Sequence, residues 1–239
     1  MSQDKQSNSS NKVPYLRRTL LALGGGAAAA IMLADVHQAF AQVGLPGLGG
    51  LPGLGGGLNG GTFGTGDIAI LNYAYALEQL EAAYYTTVLE QPYSGISRSE
   101  QELLTEIRDH EIAHREFLKQ SLGSNAIPML QVDFSRVNGA SRESVLTAAR
   151  SFEDLGVSAY NGAGQLLSNP EYLAAAGSIV SVEARHAATI RDLISPLSTA
   201  FASNDIVDGQ GLDEARLPSQ VLPKVKPYVL TPIDPGQLP

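Results

Sequence analysis

Two Glu-x-x-His pairs, Glu111/His114 and Glu183/His186, are the residues of this sequence best placed to do chemistry. Residues three apart share a helix face, so each pair aims a carboxylate and an imidazole at one point. That donor set suits a divalent cation. The chain has no cysteine, so every metal ligand must come from oxygen or imidazole nitrogen. Of the four histidines, His37 lies near the N-terminus, and two of the other three carry glutamate three positions earlier. Ile107 and Leu118 flank one pair, and Ile179, Val180 and Ile190 the other. A carboxylate buried among such neighbours needs a cation or a proton beside it.

Further donors follow from an internal repeat. Glu78 and Glu153 are each followed seven residues later, two helical turns on, by a tyrosine, Tyr85 and Tyr160. Leu77-Glu78-Gln79-Leu80 and Phe152-Glu153-Asp154-Leu155 align through those tyrosines without a gap, so the second half of this region reads as a copy of the first. The candidate metal set is therefore Glu78, Glu111, His114, Glu153, Glu183 and His186, with Glu81 as a replacement for Glu78 or a seventh ligand. Two other readings compete. His110-Glu111-Ile112-Ala113-His114 spells the His-Glu-x-x-His motif of zinc hydrolases, with Glu111 as general base. It would leave Glu78, Glu153 and the Glu183/His186 pair unused, and it calls for strands that the pattern does not show. In a bundle, His110 instead sits about 100° round the helix from Glu111, on the outer face beside Asp109. The last reading is a metal-free scaffold or binding protein, whose converging carboxylates would have to hold protons.

Four helices would position these residues. Ile70, Tyr73, Leu77, Leu80 and Tyr84 make a buried stripe on a helix capped by Asp67 and ending near Glu90. Pro92 and Gly95 break the chain. Ser97 or Ser99 opens a second helix through Leu103, Leu104, Ile107, Ile112, Phe117 and Leu118, which stops at Gly123. A third begins around Ser141 and runs toward Leu167; Asn169 caps a fourth with Pro170 in its first turn. Short loops inside each pair predict antiparallel hairpins, and the aperiodic stretch 124–140 predicts a long crossover between them. Tyr73, Tyr75 and Tyr84 are expected in the core. Gly156, Gly162 and Gly164 are expected to allow a close helix approach or a kink. Beyond residue 198 a Pro-, Gly- and Asp-rich tail, with one short helix over 219–225, should wrap the bundle.

Residues 1–41 have the three-part form of a signal peptide: Arg17-Arg18, an apolar stretch from Thr19 to Leu33, and Ala39-Phe40-Ala41 before the expected cut. The paired arginines before a Gly- and Ala-rich run point to the twin-arginine route, which carries folded cargo to the periplasm or cell surface. An uncleaved anchor is the alternative, but the apolar run falls short of the roughly 20 residues needed to span a bilayer. No stable membrane insertion is expected after cleavage. Residues 42–66, with Leu-Pro-Gly-Leu-Gly-Gly twice, read as a flexible linker, since glycine makes ordering costly and isolated leucines bury little. The formal charge of −8 becomes more negative once Lys5, Lys12, Arg17 and Arg18 leave with Asp4 and Asp35. Nucleic acid is thereby disfavoured as a partner.

Over about residues 67–197 the sequence resembles the ferritin-like superfamily, within it the branch related to plant desiccation-related proteins. The stretches that carry the resemblance are Ile70 to Ala74, Leu77 to Ala82, His110-Glu111 through His114, Phe152 to Tyr160, and Val182-Glu183-Ala184-Arg185-His186-Ala187-Ala188. It implies an all-α, ferritin-like four-helix bundle over residues 67–198, two antiparallel hairpins joined by a long crossover, with an irregular tail over 199–239. In di-iron members the residues matching Glu78 and Glu153 are terminal ligands, those matching Glu111 and Glu183 bridge the ions, and those matching His114 and His186 complete one ion each. Tyr85 and Tyr160 would lie beside the site, hydrogen-bonded to ligand carboxylates. The implied cofactor is two iron ions, with manganese or a mixed Fe/Mn pair as alternatives. The implied partners are oxygen or peroxide, and a homo-oligomer is compatible with the pattern. The expected function is an exported di-metal protein that oxidises ferrous iron or reduces oxygen or peroxide in stress protection, with no catalytic residue apart from the metal set.

Overall fold

The computed structural model describes residues 62–239; the expected signal peptide and the linker up to residue 61 lie outside the described residues. The chain forms four long helices, α1 (Gly66–Glu90), α2 (Arg98–Leu122), α3 (Arg142–Gly164) and α4 (Pro170–Ile194), then a short α5 (Pro218–Val225). Among the described residues β structure is limited to isolated bridges. Among the described residues no helix is long and apolar enough to cross a membrane.

Helix ends follow local chemistry. The side chains of Ser97, Ser141 and Asn169 accept the backbone N–H of Glu100, Ser144 and Glu171, which satisfies one of the orphan donors at each start. Gly123 ends α2 at a φ of 55°, where an L side chain would be strained. Asp67 departs from its expected role as a cap. The cap of α1 is Thr65, and Asp67 accepts instead from the N–H groups of Ser168 and Asn169, 2.9 Å each. It thereby ties the start of α1 to the loop before α4.

α1 packs along α2 and α3 along α4, with further contacts between α1 and α3 and between α2 and α4. Tyr160 reaches Glu78 while Tyr85 reaches Glu153, so α1 and α3 run in opposite directions. The loops at 91–97 and 165–169 are short, so each hairpin is antiparallel. It follows that α2 and α3 point the same way, and residues 123–141 must carry the chain back along the bundle. This is the expected pair of hairpins with one long crossover. Buried Asn72 and Gln79, two turns apart on α1, hold that crossover. Asn72 donates to the carbonyls of Phe63 and Asn125 and accepts from Ile127 N, while Gln79 Oε1 accepts from Leu130 N at 2.7 Å.

Residues 69–82 of α1 are buried on every face, the apolar positions in the core and the polar Asn72, Glu78, Gln79 and Glu81 among them. The tail supplies part of that cover. Its residues pair with the crossover through Leu230 N to Gln131 O and Asp133 N to Tyr228 O. Phe63, at the end of the expected linker, is fully buried and its N–H donates to Asp234 O. Arg191 of α4 binds Asp154 of α3 at 2.6 Å and fastens the tail through Asp205 at 3.0 Å.

Candidate metal centre

Each of the four long helices sends acidic side chains into the middle of the bundle. Glu78 (α1), Glu111 (α2), Glu153 (α3) and Glu183 (α4) are 0 % exposed, and His186 is 4 %. His114 is partly buried. The donor atoms fall into two groups, each within 4.8 Å: Glu78, Glu111, His114 and Glu183; and Glu111, Glu153, Glu183 and His186. Glu111 and Glu183 belong to both. The six residues singled out by spacing are thus brought together, one carboxylate from each helix and one imidazole to each group.

Each imidazole crosses to the other hairpin's glutamate. His114 Nδ1 is 2.9 Å from Glu183 Oε1, and His186 Nδ1 is 2.7 Å from Glu111 Oε1. The other contacts are longer: His114 to Glu78 at 3.4 Å and His186 to Glu153 at 3.6 Å. The two outer carboxylates are held from behind. Tyr160 donates to Oε1 of Glu78, and Tyr85 donates to Oε1 of Glu153 at 2.5 Å. Their Oε2 atoms therefore stay turned to the centre. Those Oε2 atoms, both oxygens of Glu111 and Glu183, and Nδ1 of His114 and His186 are all buried without a hydrogen bond of good geometry. Buried polar atoms are almost always satisfied, so a converging set of unsatisfied oxygens and imidazole nitrogens fits a pair of cations.

Without a cation, protons must balance the charge. Burial, and then the neighbouring carboxylates, push Glu111 and Glu81 well above the usual carboxylate range, and burial raises Glu153. Burial alone would also raise Glu183, but the two imidazoles beside it hold it down at about 2. Burial would favour neutral imidazoles, yet the surrounding carboxylates raise His186 to about 12 and lift His114 well above its ordinary value.

Glu81 is buried at 3 % exposure but belongs to neither donor group. His110 also belongs to neither, which leaves the zinc-hydrolase reading without its first histidine. It is exposed, as expected, but it is not isolated: its Nδ1 lies 2.9 Å from Nε2 of His186. This contact was not read from the sequence; its one signal was a third histidine directly before Glu111. Next to Tyr160, a cavity of about 30 Å³ is lined by Ile70, Leu77, Leu118 and Ile179 among others.

No curated protein matches the chain. A family model, the ferritin-like domain, matches residues 66–196, from the first turn of α1 to just beyond α4. All four helices and the whole cluster fall within that match, and the chain belongs to the ferritin-like domain family.

Proposed function

We propose that this is an exported di-metal protein whose centre, of two iron ions or an Fe/Mn pair, oxidises ferrous iron with oxygen or peroxide. The observation that carries the reading is the convergence of four buried carboxylates and two imidazoles whose inward donor atoms make no hydrogen bond of good geometry. Glu78, Glu111, His114 and Glu183 would hold one ion, and Glu111, Glu153, Glu183 and His186 the other. Carboxylate-rich ligation with one imidazole per ion suits iron or manganese. When bound, the pair would relay one electron from each of two ferrous ions, so that a peroxide taking those two electrons and two protons would leave as two waters.

The residues of the chain bind, orient and exclude water. Tyr85 and Tyr160 fix one oxygen of each outer carboxylate, and the apolar wall around the cavity beside Tyr160 leaves space for a small molecule. Arg17-Arg18 ahead of an apolar run supports export by the twin-arginine route to the periplasm or cell surface. The resemblance to desiccation-related proteins supports a role against oxidative or drying stress. The test is elemental analysis of protein purified from its native compartment, beside Glu78→Ala and Glu81→Ala. Two iron or manganese ions per chain, lost with Glu78 and kept with Glu81, are expected. A second reading, a metal-free scaffold, draws on the close imidazole–carboxylate contacts, which protons alone can bridge. Absence of metal from native protein would establish it.

A further inference from the structure

His186 uses both ring nitrogens. Nδ1 faces Glu111, Glu153 and Glu183, while Nε2 points out of the centre to Nδ1 of His110 at 2.9 Å. The two ring planes are inclined by only 10°, with centroids 5.2 Å apart. A centroid separation of 5.2 Å is close to the 2.9 Å nitrogen contact plus one ring radius at each end, so both nitrogens lie between the centroids, the rings meet edge to edge, and the contact is a hydrogen bond.

A cation at the Glu111, Glu153, Glu183 and His186 position needs the lone pair of His186 Nδ1. The ring proton must then sit on Nε2, and the only role left to His110 Nδ1 is to accept it. The opposite polarity, with His110 donating, would put the His186 proton on Nδ1 and aim it at Glu111, which leaves nothing to bind a metal. A ligating imidazole is commonly oriented in this way by the acceptor of its other N–H. The arrangement is one-sided. In the duplicated pattern the counterpart of His110, directly before the glutamate of the other pair, is Val182, which has no acceptor to offer. Among the described residues no hydrogen bond supports the outer nitrogen of His114.

We propose that His110 is a positioning residue: by accepting the Nε2 proton of His186 it fixes that ring's tautomer and plane, making the His186 position the tighter and first filled of the two. The proposal rests on the di-metal reading above. His110 does not ligate; it acts through His186, and the near-symmetric centre becomes two unequal positions.

The test uses the full chain, stripped of metal and titrated with Co²⁺, and then the Zn²⁺-loaded form observed by ¹⁵N NMR. Wild type is expected to take two ions in two resolved steps. His110→Ala should weaken the tighter step by about tenfold to a hundredfold, leave the looser one in place and keep a total of two. His110→Gln, whose amide oxygen can accept the same proton, should recover most of the loss. In the Zn²⁺ form the His186 proton should lie on Nε2, exchanging slowly with water in wild type and His110→Gln and quickly in His110→Ala. Because His110 is exposed, its replacement leaves the core untouched. Equal affinities in wild type and His110→Ala, an equal loss at both steps, or a proton on Nδ1 would overturn the proposal while two-ion binding stood. A wild-type chain that takes up no ion would instead overturn the di-metal reading itself.

Discussion

Glu81 fills the space that a side chain at Gly156 would enter: a Cβ there would stand 3.0 Å from Glu81 Oε1 and 3.6 Å from Glu183 Oε2. The two positions correspond in the duplicated pattern, three residues beyond Glu78 and Glu153 respectively. One copy brings a carboxylic acid and the other makes room for it. Replacing glycine by alanine inside a helix ordinarily gains about 1 kcal/mol. Overfilling a packed interior costs about 1–3 kcal/mol, so the crowding should win. Gly156→Ala is expected to lower the melting temperature by a few degrees, roughly 1 kcal/mol in a chain of this size. Adding Glu81→Ala removes the obstruction, so the double variant should be more stable than the sum of the single effects. Thermal denaturation of the four proteins measures this, and strict additivity would mean that the two residues do not meet.

Tyr160 and Tyr85 each reach across from one hairpin to the outer carboxylate of the other. Replacing either by phenylalanine keeps the ring and strands a buried carboxylate oxygen, at a cost of about 1–3 kcal/mol in the metal-free protein. The effect on metal should be local. Tyr160→Phe loosens Glu78 and so the His114 position; Tyr85→Phe loosens Glu153 and so the His186 position. Metal titration should show one step weakened in each variant, by about tenfold or more, and a different step in each. Two variants that weaken the same step would contradict the crossed arrangement.

Metal binding should strengthen as pH rises. In the metal-free centre Glu111 holds its proton above the usual carboxylate range, and His186 holds one up to about 12. A cation must displace the protons on its ligands, so binding releases them and is favoured where they are scarce. Glu183, already ionised above about 2, adds nothing to this dependence at neutral pH. Calorimetric titration of Zn²⁺ at pH 6 and pH 8, in buffers of different ionisation heat, should show protons released and a higher affinity at pH 8. An affinity independent of pH would mean that the donors carry no protons when empty.

The convergence of the six candidate donors could be read from the sequence because helical spacing is a property of one chain segment. Three residues put Glu111 beside His114, and seven put Glu78 in line with Tyr85, whatever else surrounds them. His110 shows where such reasoning stops. Its angle on α2 does place it on the outer side of Glu111, but the ring of His186 arrives from α4, and the period of α2 carries no information about that neighbour. Asp67 is a similar case. Its type predicts a cap, and it does bind two backbone N–H groups, but they belong to the loop before α4. Phe63 looked like part of a glycine-rich linker because its partner, Asp234, lies in the tail, far beyond any local pattern. The three core tyrosines, by contrast, are each only 1 % exposed, as an apolar stripe alone requires.

Gly162 answers to the tail rather than to another helix. Arg216 crosses α3 there: its N–H donates to Ser158 O at 2.8 Å, and its guanidinium donates to Ser158 Oγ at 3.0 Å. A Cβ at position 162 would stand 1.9 Å from the carbonyl oxygen of Arg216 and 2.4 Å from its carbonyl carbon. Those are backbone atoms, which cannot turn aside as the end of a side chain can, so Gly162→Ala must lift the tail from α3. The helix itself should tolerate the change and even gain about 1 kcal/mol of propensity. The candidate metal donors lie on the four long helices, so the centre should persist while the strap detaches. Limited trypsin digestion reads this directly: a cut after Arg216, resisted in wild type, should appear in Gly162→Ala with two-ion binding retained. If that bond stays protected in the variant, the tail is not held against α3 at this glycine.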